Sequence, residues 1–369
     1  WLKPRSPAHP AIMSVAALRP WCAHLDNARY VSMVLVIMAH LMWPLPLPYK
    51  LIADPMWLLN IPTFCVVSGV LLQPSGVVQV QRVALELGMP YILACSLFPW
   101  SAIHADTYWY LRCLILWRLG MPLLTRFGWH GSALGTLSIA VGIASAYAPA
   151  VFGTGLLFRT LQSAGVLWPY VVLGQILARS GVLESSSRNP WLNIVQRCAT
   201  LFLWFPTASW IAFKLERPDM PMFSMHLYAW MQGPVTWHRN DALGVLFCYS
   251  AMLLVRGGTV VLFLRYVVPR GNMIFSGAGT HTLYAYILHN PLLQSPLLKD
   301  PMVVRGFGVV QQRWPSMCSA AVLLLLSSAI AFALCSWQVR CLFGAVVEPR
   351  WLVAWCSHTV HNITWLFPK

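Results

Sequence analysis

Apolar runs of about 20 residues, the length that crosses a bilayer core as a helix, recur along all 369 residues of the chain. In lipid, every backbone N–H and C=O must be satisfied within its own helix or within a closed barrel, so only those two architectures span. Barrel strands alternate apolar and polar residues, and these runs do not. The sequence therefore predicts an all-α fold, a polytopic integral membrane helical bundle. Ten spans are expected, over 30–47, 57–73, 83–101, 109–125, 132–152, 161–178, 192–213, 242–264, 280–298 and 317–339. The segment 222–237, within the long loop 214–241, reads as an interfacial helix.

Composition closes off the soluble alternative. Hydrophobic residues make up 58% and charged residues 9%, against about 25% charged in soluble domains. Nineteen Trp and 27 Pro suit membrane interfaces and spans packed against neighbours. The formal charge of +15 is topological rather than a nucleic-acid footprint, because no compact basic patch with interleaved aromatics stands out. No nucleic-acid partner is expected.

The basic residues also orient the spans. With the N-terminus inside, fourteen of the 25 Lys and Arg fall in cytoplasmic segments, eight outside, and three (Arg112, Arg118 and Arg256) within spans. Cytoplasmic loops of membrane proteins are enriched in Lys and Arg. Both termini are therefore expected in the cytoplasm, which an even number of spans requires. Three regions follow: a basic, Pro-rich cytoplasmic segment over 1–28, a membrane domain over 29–340 and a cytoplasmic tail over 341–369. The chain opens at Trp1, as expected of a fragment or processed chain, and residues 1–28 lack the long apolar core of a signal peptide. The acceptor triplet at Asn362 falls in the expected cytoplasmic tail and should stay unmodified.

Ten cysteines raise a metal or disulfide role. Cys65, Cys95, Cys113, Cys248 and Cys335 lie inside apolar runs, and no C-x-x-C pair occurs. Zinc sites need clustered ligands, so inert buried thiols are expected and no metal.

An ionisable group inside a span is costly and marks a functional candidate. His40 ends the run V-L-V-I-M-A-H of the first span, with Arg29 preceding it by ten intervening residues. On a helix these positions fall within about 20° of one face and about 16 Å apart along the axis. Arg29 sits at the cytoplasmic rim and His40 near mid-membrane. That spacing suits a cytosolic polyanion with a long thin arm, its phosphates on the Arg29 fork and its reactive end at His40. Coenzyme A has this shape. The plainer alternative is a helix-packing histidine bonded to a neighbouring carbonyl.

The stretch L-D-N-A-R-Y-V-S-M-V-L-V-I-M-A-H resembles the first span of the acyltransferase-3 superfamily, membrane O-acyltransferases that include fucose O-acetylase-like proteins. Five further stretches resemble that family in order: N-I-P-T-F-C-V-V-S-G at 60–69, R-V-A-L-E-L-G-M-P-Y at 82–91, W-Y-L at 109–111, W-P-Y-V-V-L-G at 168–174 and G-T-H-T-L-Y-A-Y-I-L-H at 279–289. Each is weak alone; together they cover nearly the whole chain. The resemblance implies acyl-CoA, with acetyl-CoA expected, as donor, and a sugar or other hydroxylated acceptor. It also places His289 near the site beside His40. Donor contact falls to Arg29 and Arg82, with Gln79 standing where the family carries the first arginine of R-x-x-R. Gln79 still donates a hydrogen bond but supplies no charge.

Other charged residues read as structural: Glu86 pairing with Arg82, Asp26 holding Arg29, and Arg118 snorkelling to a rim rather than lining a polar path. Two rival functions stay open, a multispan transporter whose embedded Arg and His line a path, and a non-catalytic membrane protein. No internal inverted repeat of the transporter kind is visible. The oligomeric state is not encoded in these features.

Overall fold

The described residues within the ten apolar runs are predominantly helical. The structure, a computed structural model, describes residues 15–42, 56, 58–72, 80–98, 108–129, 131–147, 156–183, 190–216, 242–293 and 316–348. Among them every regular element is helical. In chain order these are α1 Val15–Met42, α2 Asn60–Leu71, α3 (Val80–Val83 continuing through a π turn Ala84–Gly88 into Met89–Leu97), α4 Trp109–Arg126 and α5 Gly131–Tyr147. They continue as α6 Leu156–Ser180, α7 (Pro190–Ala199, a π turn Thr200–Trp204 and Phe205–Glu216), and α8 (Ala242–Leu262 with a π turn Phe263–Val267). The last are α9 Thr282–Leu293, led in by the turn Ser276–Gly279, α10 Ser316–Leu334 and α11 Trp337–Val347.

Among the described residues two helices are long and apolar enough to cross a membrane, Phe158–Ser180 and Tyr249–Val267, and a third span forms if Cys318–Leu334 and Trp337–Val347 are taken together across their 61° bend, fewer than the ten spans expected. Shorter apolar helices lie at Asn60–Leu71, Ala84–Leu97 and Gly131–Ala146. The bend has a local cause. Ser336 adopts an extended conformation (φ −68°, ψ 161°), and its hydroxyl accepts from Val339 N, capping a new helix. The sequence boundary drawn at 340 thus falls inside α11. The loop segment 222–237 and Asn362 lie outside the described residues.

Two glycines set the closest helix contact. A methyl group at Gly69 on α2 would overlap the Val171 carbonyl of α6, and one at Gly174 on α6 would overlap the Val66 carbonyl of α2. Small residues let backbones approach where no water is available to drive association, so dispersion contacts hold the pair. Around this contact Val66, Val67, Val171, Val172, Leu167 and Cys65 are buried. Aromatic polar tips are satisfied across helices: Trp117 Nε1 donates to Ala164 O at 3.0 Å and Tyr249 Oη to Val166 O at 2.9 Å. Cys65, Cys113 and Cys335 are buried free thiols.

A second junction fixes α1 against α9. Asn27, fully buried, donates through Nδ2 to Pro269 O and Gly271 O at 2.9 Å each. Its Oδ1 accepts from Ser276 Oγ at 2.6 Å, and Ser276 Oγ in turn accepts from Met273 N at 2.7 Å. One carboxamide therefore satisfies two carbonyls of the α8–α9 connection and one hydroxyl at the start of α9. Beside it, Gly279 lies so close to the Asp26 backbone that a methyl would overlap the carbonyl.

Candidate functional site

His40 lies thirteen residues beyond Asn27 on α1, and His289 thirteen residues beyond Ser276, through the turn Ser276–Gly279 and α9. Their ring centroids are 5.3 Å apart with planes at 44°. The two histidines, far apart in sequence, are thus neighbours in the structure.

His289 is buried, and its protonation pattern follows from its neighbours. Nδ1 lies 2.8 Å from Tyr286 O and 3.1 Å from Ala285 O. A carbonyl only accepts, so Nδ1 carries the proton and donates. In the neutral ring this leaves the lone pair on Nε2, a buried nitrogen with no hydrogen-bond partner among the described residues.

Arg29 sits where the first-span spacing put it, away from the histidines. It donates from Nη1 to Asp26 Oδ1 at 3.0 Å, three residues back, as expected of Asp26. It also lines a cavity of about 190 Å³ together with Ser68, Tyr110, Arg118, Thr280 and Tyr286. Arg118 also lines this cavity, and its Nη1 donates to Glu86 Oε2 at 3.0 Å. That carboxylate belongs to the α3 π turn, a partner that no spacing within α4 reveals. Arg82 belongs to α3, its side chain outside the described residues, and Gln79 lies outside them altogether. Arg112, on the α4 face toward α3, hydrogen-bonds with Tyr91. Arg256 is buried and hydrogen-bonds with the Tyr170 hydroxyl.

Cavity and histidine pair share one wall. Tyr286 lines the cavity, with its ring centroid 5.7 Å from Tyr110 and 5.9 Å from His289. Tyr110 is held by Ser68, whose hydroxyl lies 3.0 Å from the Tyr110 hydroxyl, and by edge contacts with Phe64 and Trp117. The arrangement offers two cations at one end, hydroxyls along the wall, and a tyrosine ring separating them from two imidazoles.

The sequence reading missed Tyr286 and Asn27 as site-forming residues. For Tyr286 the signal was its spacing, three residues before His289 and so on the same face of α9. For Asn27 it was a carboxamide among apolar neighbours in L-D-N-A-R-Y. No cluster of three or more His, Cys, Asp and Glu side chains able to hold a metal ion occurs among the described residues.

Comparison of the chain with protein-family models, with curated proteins and with solved structures finds no match in any of the three. The resemblance to acyltransferase-3 proteins rests on the ordered motifs of the sequence alone.

Proposed function

We propose that this chain is a ten-span membrane O-acyltransferase with both termini in the cytoplasm, moving an acyl group, acetyl foremost, from cytosolic acyl-CoA to a hydroxyl of a carbohydrate or similar acceptor. The observation that supports it most is the pairing of His40 with His289 at the end of a helix whose cytoplasmic part presents Arg29 to a cavity. A phosphate-bearing donor would meet Arg29, with Arg82 and Gln79 as further contacts from the neighbouring segment. Its pantetheine arm would run along the Ser68–Tyr110–Tyr286 wall to the imidazoles.

In the reaction, His40 removes the proton from the acceptor hydroxyl as its oxygen attacks the thioester carbonyl. The tetrahedral intermediate collapses with cleavage of the C–S bond, and the proton passes to the departing thiolate as free CoA-SH. His289, its proton fixed on Nδ1, presents the Nε2 lone pair to the same space. It shares the proton that His40 takes, so the pair holds one positive charge between two rings. General base catalysis of this kind contributes typically about 10²–10⁴-fold.

A transporter would use the same cations and imidazoles as a path but would leave the thioester intact. The test is twofold. Mass spectrometry of cell-surface and secretory glycans with and without the protein should show one acyl increment lost in its absence. Purified protein should release CoA thiol from acetyl-CoA in the presence of the acceptor. Unchanged glycans together with an intact thioester would reject the reading.

A further inference from the structure

A second cavity lies between α7 and α8. A groove of about 430 Å³ is lined by Gln196, Thr200, Leu203, Trp204, Leu262 and Tyr266, a volume within the ~300–1,000 Å³ typical of ligand pockets. Both of its walls are π turns, Thr200–Trp204 and Phe263–Val267, a widened helical geometry common at functional sites.

Three of the groove's polar side chains are already spent. Thr200 Oγ1 donates to Gln196 O at 2.8 Å, Thr207 Oγ1 to Leu203 O at 2.6 Å, and Trp204 Nε1 to Thr259 Oγ1 at 3.0 Å. Beside the Gln196 carboxamide and the Tyr266 hydroxyl, the wall offers a ligand methyl groups and ring faces. Its surroundings are equally apolar, with Phe202 and Leu203 about 70% exposed at 73% and 68%.

One end of the groove carries charge of a single sign. Arg197 follows Gln196, and Arg265 precedes Tyr266, with its guanidinium 5.3 Å over the Tyr266 ring centroid. Neither arginine pairs with a carboxylate among the described residues, and Arg265 Nε is buried without a hydrogen-bond partner among them. Arg270 completes the cluster. Burial, followed by the positive charges of Arg265 and Arg197, holds its guanidinium below the usual arginine range. In the proposed topology this end faces the cytoplasm.

We propose that the α7–α8 groove binds one anionic phospholipid of the cytoplasmic leaflet, its phosphate on Arg197 and Arg265 and one acyl chain along Thr200, Leu203 and Leu262. Charge complementarity selects this occupant: an apolar trough with the Arg197 and Arg265 guanidinium groups beside it fits a ligand with a hydrocarbon tail and an anionic head. A zwitterionic lipid would bring its own cation to the cluster and bind more weakly. The proposal shares the membrane reading with the proposed function but uses none of its site residues.

Native mass spectrometry of the full-length chain, purified in detergent and titrated with dioleoyl phosphatidylglycerol or dioleoyl phosphatidylcholine, tests it. The expected result is one retained phosphatidylglycerol and weaker retention of phosphatidylcholine. Arg197→Gln with Arg265→Gln should weaken phosphatidylglycerol roughly 30-fold, whereas Lys at both positions should keep most of the binding. Ala199→Trp, which fills the groove and leaves the charges, should also abolish retention. Equal retention of both lipids by the unaltered chain overturns the proposal, as does a double Gln variant that binds normally. Full competition by glycerol phosphate, or normal binding by Ala199→Trp, would reduce the site to a headgroup contact and overturn the chain-binding half. Acyl-CoA turnover is not read in any arm, so failure here leaves the proposed reaction standing.

Discussion

His40 and His289 face each other at 5.3 Å between ring centroids, each thirteen residues beyond one partner of the Asn27–Ser276 hydrogen bond. A hydrogen bond between α1 and the turn that leads into α9 thus accompanies the meeting of the two imidazoles further along. Because the rings share one proton in the proposed reaction, their removal should not be additive. His40→Ala and His289→Ala should each lower single-turnover acyl transfer by about 10²–10⁴-fold, and the double variant should be little worse than either. A His289→Ala protein with normal turnover would return that residue to a packing role.

Asn27 makes three side-chain hydrogen bonds from a fully buried position. Asn27→Ala removes all three hydrogen bonds, each worth about 0.5–1.5 kcal/mol, while the Pro269 carbonyl keeps its contact with His24 Nδ1 at 3.2 Å. The thermal midpoint in detergent should fall. Turnover should fall further than donor affinity, since the change loosens α9 and His289 while Arg29 keeps its Asp26 partner.

Arg29 supplies charge to the cavity, so Arg29→Ala should raise the dissociation constant for acyl-CoA and flatten its dependence on salt. Arg29→Lys should recover part of the affinity, because it keeps the charge but loses the planar fork. Calorimetry at two ionic strengths reads both effects. Identical affinities across the three proteins would remove Arg29 from the donor site.

The α2–α6 contact is backbone against backbone at Gly69 and Gly174. Gly69→Ala or Gly174→Ala should push the helices apart and destabilise the protein by about 1–3 kcal/mol or more. Gly88→Ala, whose added methyl meets open space, should leave the thermal midpoint within a degree or two of the unaltered protein, since an exposed helical Gly→Ala is neutral or mildly stabilising. Equal midpoints for all three variants would show that the close approach does not hold the bundle.

Helical type and register were legible because they depend on local pattern. Apolar runs marked where helices form, yet only two described helices, or three with the bent pair, are long and apolar enough to cross a membrane, against the ten spans expected; Arg29 and His40 do lie on one helix. What came from other helices was not legible. Glu86 meets Arg118 across an interface, Tyr286 stands between cavity and histidines only because α4 brings Tyr110 to it, and the break at Ser336 needs the hydroxyl to cap a new helix. In each case the deciding partner lies far along the chain or depends on a backbone turn that hydropathy does not register.

The most direct test of the central claim is CoA-thiol release by the purified chain in lipid vesicles, supplied with acetyl-CoA and a hydroxylated acceptor, for the unaltered protein and for His40→Ala. The account predicts acceptor-dependent thiol release by the unaltered protein. In His40→Ala it predicts release reduced by at least about 10²-fold, with acetyl-CoA still bound at near-normal affinity. Equal release by both proteins, or an intact thioester with both, would contradict it.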